Sequence, residues 1–185
     1  KICIRDSTKI WDVKNNLARL LAYGSNPEKT NLTDGMAVAM EYAAHDDKTE
    51  QCLFVSGINC EPETALADMR LTKRGWNREE PGRAVAFHGI QSFAPGEATP
   101  AQAHAVGKEF ARRMWGERFE VLVCTHLDKA HPHNHFIINS ISFKDGGRYH
   151  DNRHSYSGQI RVLSDELCRK HGLSVIEKPQ GKGKH

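Results

Sequence analysis

Two strand-length apolar runs, Arg118 to Thr125 and Asn134 to Phe143, are separated only by the short link Leu127 to His133, and no other feature limits the fold as much. Runs so close in sequence pair as a β-hairpin. A hairpin alone is marginal in water, so further strands and covering helices are required. The flanking sequence supplies them. Thr99, Pro100 and Gln102 form a capping box with proline at the first helical position; Ala103, Val106, Gly107, Phe110 and Met114 line one face, and Gly116 ends the helix. Val13, Leu17, Leu20 and Leu21 predict a helix from Asp12, its cap, to Tyr23, stopped by Gly24, Ser25, Asn26 and Pro27.

A second helix is expected from Thr33 to Ala44, then a strand from Gln51 to Asn59 through Leu53, Val55 and Gly57. Arg70 to Gly82 has no clear apolar period and reads as an exposed helix end and loop, whereas Arg83 to Phe93 reads as a strand. Asp145, Gly146 and Gly147 make a turn, and Ile160, Leu163 and Leu167 mark a last helix ending at Gly172. The expected class is α+β: a largely antiparallel central sheet with flanking helices, with a histidine motif on a central hairpin strand. One domain is expected over residues 1–177, with residues 178–185 expected as a flexible basic tail.

Composition adds exclusions. With 185 residues, 38% hydrophobic and 26% charged, the chain is neither a disordered polymer nor a fibre. It has no apolar run long enough to span a bilayer and no signal-peptide core, so no membrane insertion is expected. Cys3, Cys52, Cys60, Cys124 and Cys168 are odd in number and scattered, which suits reduced thiols in the cytoplasm better than a disulfide framework. Net charge is +3, but Lys144 to His185 holds nine Lys/Arg against five Asp/Glu, a surplus suited to a polyanion or to an ordinary solvated surface.

The chemistry concentrates at His126, Asp128, His131, His133 and His135. Side chains two apart on a strand share a face, so His133 and His135 project together. Antiparallel neighbours lie about 4.8 Å apart, which lets His126, ending the partner strand, enter the same space. Three imidazoles bind a metal while leaving positions for substrate oxygen, as a catalytic ion requires. Asp128 is placed to hold a ligand histidine in one tautomer, and His131 is expected beside the site or facing substrate. A single histidine would read as a satisfied core or surface residue; several in this spacing do not.

At these residues the chain resembles the relaxase, or mobilization nuclease, family of conjugative and mobilizable elements, within the HUH endonuclease class. The phrases from Tyr23 to Thr30, Gln91 to Glu97, His126 to His135 and Ser164 to Cys168 carry the resemblance, in family order, over roughly Lys9 to Glu177. It implies that His126, His133 and His135 hold a divalent ion, Mg²⁺ or Mn²⁺. It also implies that Tyr23 is the nucleophile, leaving a 5′-phosphotyrosine and a free 3′-hydroxyl. Asp128 or His131 would ease removal of the phenol proton, since a phenol titrating near pH 10 is a poor nucleophile at neutrality. Tyr42 is the rival nucleophile, because Tyr42 to Thr49 echoes Tyr23 to Thr30; Tyr149 and Tyr156 suit DNA contacts better.

The substrate implied is single-stranded origin-of-transfer DNA in a bacterial cytoplasm, with accessory relaxosome proteins and a coupling protein as partners. Arg148, Arg153 and Arg161 are candidates for phosphate contact, or else plain surface charge. Trp11, Trp76 and Trp115 are candidates for stacking, or else core residues. Lys1 to Thr8 does not match the family's usual beginning, which is expected of a trimmed or tagged chain, and further carboxy-terminal regions are expected after His185. Three other readings compete. A histidine-triad nucleotide hydrolase expects an apolar residue where Asn134 stands and gives His126, Asp128 and Tyr23 no task. A metallo-β-lactamase-like hydrolase needs an Asp-His pair after the alternating histidines. A catalytically silent DNA-binding module would not need the whole set.

Overall fold

A computed structural model of the chain describes residues 8–30, 54–127, 131–150 and 156–175. The expected helix from Thr33 to Ala44, the residues Tyr42, Asp128 and Arg153, and the tail 178–185 lie outside the described residues. In order, the elements are β1 (Thr8–Val13), α1 (Leu17–Gly24), the single turn α2 (Pro27–Thr30), β2 (Val55–Ile58), α3 (Ala65–Gly75), β3 (Ala86–Ser92) and α4 (Pro100–Trp115). They continue with β4 (Val121–His126), β5 (His133–Asn139) and a π-helical turn, Tyr156–Ile160, that runs into α5 (Arg161–Lys170).

The strands form one five-stranded sheet in the order β1-β3-β5-β4-β2, antiparallel at every pairing. β4 and β5 are the expected hairpin, and β5 is the central strand. Directly opposed residues share a face. One face therefore carries Trp11, His88, Ile137 and Leu122 in a row, then Ile90, His135, Cys124 and Val55, then Ser92, His133 and His126 at the end. Over this face lie α1 and α3, whose Leu17, Leu21, Ala65 and Met69 form one core with Leu122, Cys124 and Ile137. The opposite face packs Phe136, Ile138, Val121 and Val123 against α4 and α5 through Val106, Phe110, Trp115 and Leu167.

The local signals behave as their chemistry dictates. The Thr99 hydroxyl accepts from the Gln102 amide and the Gln102 side chain returns to the Thr99 backbone, closing the capping box at α4. Gly172 takes φ 71°, the left-handed turn that ends α5. The expected helix from Asp12 is corrected: Thr8–Val13 is the edge strand β1, paired along β3, and α1 starts only at Leu17. Asn16, not Asp12, caps it, in the left-handed conformation (φ 61°), its side chain accepting from the Arg19 amide. The helix end and loop read over Arg70 to Gly82 is the last turn of α3, which ends at Gly75, though Lys73 within it is buried.

Candidate active site

The histidines converge because of where the hairpin ends. His126 is the last residue of β4 and His133 the first of β5, and they are directly opposed. His135, one pleat along, is on the same face. All three are buried, and one ligand nitrogen from each lies within 4.8 Å of the others. Ring centroids are 4.1 Å apart for His126 and His135, 5.0 Å for His133 and His135, and 5.4 Å for His126 and His133.

Neighbours fix which ring nitrogen faces inward. The Gly24 carbonyl, 2.8 Å from Nε2 of His126, can only accept, so that nitrogen carries the proton and Nδ1 keeps its lone pair. His135 uses Nδ1 to share a hydrogen bond of 2.8 Å with Nε2 of His88, which leaves its Nε2 for the cluster. The His88 ring stacks on that of His135 at 5.0 Å and an interplanar angle of 26°. Burial, and then the proximity of His126, push His88 down to about 4, so it is neutral at physiological pH and can serve as acceptor. His88 was not singled out from sequence: its position beside His135 exists only through the β3–β5 pairing.

Tyr23 reaches the cluster from α1. Its ring lies 5.4 Å from His126 and 5.6 Å from His135 between centroids, both edge-on, and the side chain is 44% exposed. Gly24 suits this approach: a Cβ there would lie 2.7 Å from Cδ1 of Ile137, so a larger residue would displace either that methyl or the end of α1. Nζ of Lys29 sits 4.6 Å over the Tyr23 ring, and the Lys29 carbonyl accepts from the Leu127 amide at 2.7 Å, tying α2 to the end of β4. His131 is half-buried, its ring 6.3 Å from that of His133.

The other residues proposed from sequence are elsewhere. Arg148 lies beyond the far end of β5, opposite Ile141, and pairs with Glu80 at 2.9 Å; Arg161 faces Asp165 at 3.8 Å on α5. The structure brings neither to the histidine rings.

On the opposite face, directly behind the cluster, the same stretch of sheet carries a buried polar row. Thr8, Gln91, Asn134 and Thr125 are opposed residues on four strands. Thr125 donates to Oδ1 of Asn134 at 2.7 Å, and the Asn134 amide donates to Gln91 at 3.0 Å and to the Ala103 carbonyl at 2.8 Å. The Gln91 amide and the Thr8 hydroxyl both reach Ser164 of α5, at 2.9 and 3.0 Å. His104 bridges Thr125 and Ser56, each at 2.8 Å. With the Thr125 hydroxyl committed to Asn134, His104 donates through Nδ1 and accepts from Ser56 through Nε2. That requires a neutral ring; burial, reinforced by Lys108, pushes His104 down to about 3.

The donor set fits a metal: three imidazole nitrogens within mutual reach, two with their outer nitrogen held by a hydrogen bond. The fold is shared with a structure solved for the molecular basis of vancomycin resistance transfer in Staphylococcus aureus, with TM-score 0.58 and 14% identity, covering 95% of this chain and 98% of that one. Sheet and cluster thus define an α+β domain with a candidate metal centre at one end of its central strands. Residues 42–173 match the family model of the MobA/VirD2-like relaxase nuclease domain, and the chain belongs to that family.

Similar proteins include protein rlx of Staphylococcus aureus, 35% identical over 150 residues, 81% of this chain and 44% of that protein. The T-DNA border endonuclease VirD2 of Agrobacterium fabrum is 28% identical over 106 residues, 52% of this chain and 23% of that protein. The chain spans less than half the length of these relatives. The expected relaxase family and α+β class are borne out, and the family model matched is that of a nuclease domain.

Proposed function

We propose that this domain nicks one strand of DNA at an origin of transfer by a tyrosine transesterification of the HUH kind. The observation that carries the reading is the Tyr23 ring standing edge-on to both His126 and His135. Tyr23 attacks the scissile phosphorus in line; the bond from its phenolic oxygen to phosphorus forms as the bond to the 3′ oxygen breaks. The 3′ oxygen leaves as a hydroxyl, taking up a proton, and the phenol gives up its own to Asp128 or His131. The product is a 5′-phosphotyrosyl link that conserves the bond for rejoining.

His126, His133 and His135 would hold the divalent ion, which supplies charge neutralisation of the phosphate oxygens. Three nitrogen donors suit Mn²⁺ better than Mg²⁺, which prefers oxygen. Gly24 and His88 hold two of the rings in the tautomer that coordination needs. Strand binding draws on basic residues, with Arg148, Arg153 and Arg161 proposed; Arg148 and Arg161 already face carboxylates, so their share is small. Single-stranded origin DNA in a bacterial cytoplasm is the proposed substrate, with accessory relaxosome proteins and a coupling protein as partners of the whole protein. Among the described residues no helix is long and apolar enough to cross a membrane.

The test is a covalent adduct on a denaturing gel after incubation with single-stranded origin oligonucleotides and Mn²⁺ or Mg²⁺. Wild type is expected to form it and Tyr23→Phe to lose it. An adduct that survives Tyr23→Phe removes Tyr23 as nucleophile and promotes Tyr42.

A further inference from the structure

The three tryptophans differ in what the fold asks of them. Trp115 is buried, donating to the Tyr149 hydroxyl at 3.3 Å. Trp76 is 44% exposed, but it donates to the Phe143 carbonyl at 3.3 Å and covers Gly146, where a Cβ would lie 2.6 Å from its ring. Trp11 is 41% exposed on the edge strand β1, and its ring lies against His88 at 4.5 Å between centroids. Register puts it on the histidine face: Trp11 opposes His88, the residue whose Nε2 meets Nδ1 of His135 at 2.8 Å. α1 covers this face over β4 and β5. Along β1 and β3 the same face keeps Lys9 exposed and Ile90 and Ser92 half-buried, a partly exposed strip running beside the cluster.

We propose that Trp11 is a stacking platform for a base next to the scissile phosphate. The inference rests on the nuclease reading above and adds a subsite to it. A strand whose phosphate sits at the cluster must continue across one neighbouring surface, and this strip offers what single-stranded DNA binds: a large aromatic face, apolar Ile90 beside it and a cation, Lys9, two residues along. The His88 ring behind Trp11 keeps the indole against the sheet, which lowers the entropy lost on stacking. Stacking is tolerant of base identity, so this subsite anchors the strand and does not read its sequence.

The test uses the whole chain, Mn²⁺ and a fluorescein-labelled oligothymidylate of about twelve residues. Wild-type tryptophan emission is expected to be quenched on binding, and Trp11→Phe to lose most of that quenching while binding within about threefold of wild type. Trp11→Ala is expected to bind roughly ten- to a hundredfold more weakly, with an unchanged dependence on salt, because a stacking contact releases no counterions. Mn²⁺ affinity stays at the wild-type value in both variants. Binding by Trp11→Ala within twofold of wild type, or no quenching in wild type, overturns the proposal. Neither result touches the adduct test of Tyr23, so failure of this subsite is distinguishable from failure of the nuclease reading.

Discussion

The two faces of the hairpin end are built from adjacent residues and behave in opposite ways. On one side Asn134 and Thr125 are closed onto Gln91, Ala103, His104 and Ser164, with donors matched to acceptors from Ser56 to Thr8. On the other, His126, His133 and His135 point at one another beneath a half-exposed tyrosine. Strand alternation separates the two: in His133, Asn134 and His135 the outer residues go to the chemistry and the middle one to the scaffold. Buried polar groups stabilise a fold only when satisfied. The row behind the cluster holds the strands in the register that the cluster needs, so stability should reside on the side of Asn134 and reactivity on the side of Tyr23.

The largest effect on stability is expected from Asn134→Leu. It leaves Gln91, Thr125 and the Ala103 carbonyl buried without their partner, a loss of about 4 kcal/mol in urea unfolding. Mn²⁺ affinity should fall with it, because His133 and His135 flank the substitution. Next comes pH. His104 has its folded value depressed to about 3, below its unfolded value near 6.5. The unfolded chain therefore takes up a proton that the folded one refuses, so the stability is present above pH 6.5 and is lost as pH falls toward 3. The slope is about 1.4 kcal/mol per pH unit, roughly 3 kcal/mol between pH 6.5 and 4, and His104→Gln should remove it from the pH profile of unfolding.

Gly107→Ala is expected to be smaller. Its Cβ would meet Nδ2 of Asn134 at 2.4 Å. The displaced amide should cost about 2 kcal/mol net, even though alanine is favoured over glycine within a helix by about 1 kcal/mol. The smallest effect belongs to the reactive side: Tyr23→Phe should alter stability by less than about 0.5 kcal/mol. A loss there as large as for Asn134→Leu would erase the division between the faces.

Much of this was legible in the sequence because the signals are local. The capping box at Thr99, the alternation through His133 and His135 and the opposing end of β4 need only neighbouring residues. β1 escaped because its pairing partner is β3, far along the chain, while Val13 lies at helical spacing from Leu17 and drew the expected helix back to Asp12. Only the end of α3 past Arg70 was legible; its first turns escaped because the buried stripe of Ala65, Met69 and Lys73 includes a lysine, so no apolar period appears. Burial pushes Lys73 down to about 8, and its Nζ reaches the Met69 carbonyl at 3.4 Å. His88 and the role of Asn134 escaped for one reason: both depend on which residue of β3 opposes which residue of β5, a register set by the folded sheet. The same register explains why a polar residue stands between the two histidines: its face is filled by the hydrogen-bonded row.

The central claim, that three imidazoles converge on a single ion beside Tyr23, is tested most directly by pulsed electron paramagnetic resonance of the protein loaded with Mn²⁺. The account predicts one bound ion per chain with couplings from histidine nitrogens, reduced in number by His133→Ala and left intact by Tyr23→Phe. A spectrum of fully hydrated Mn²⁺, without nitrogen couplings under saturating protein, would contradict it.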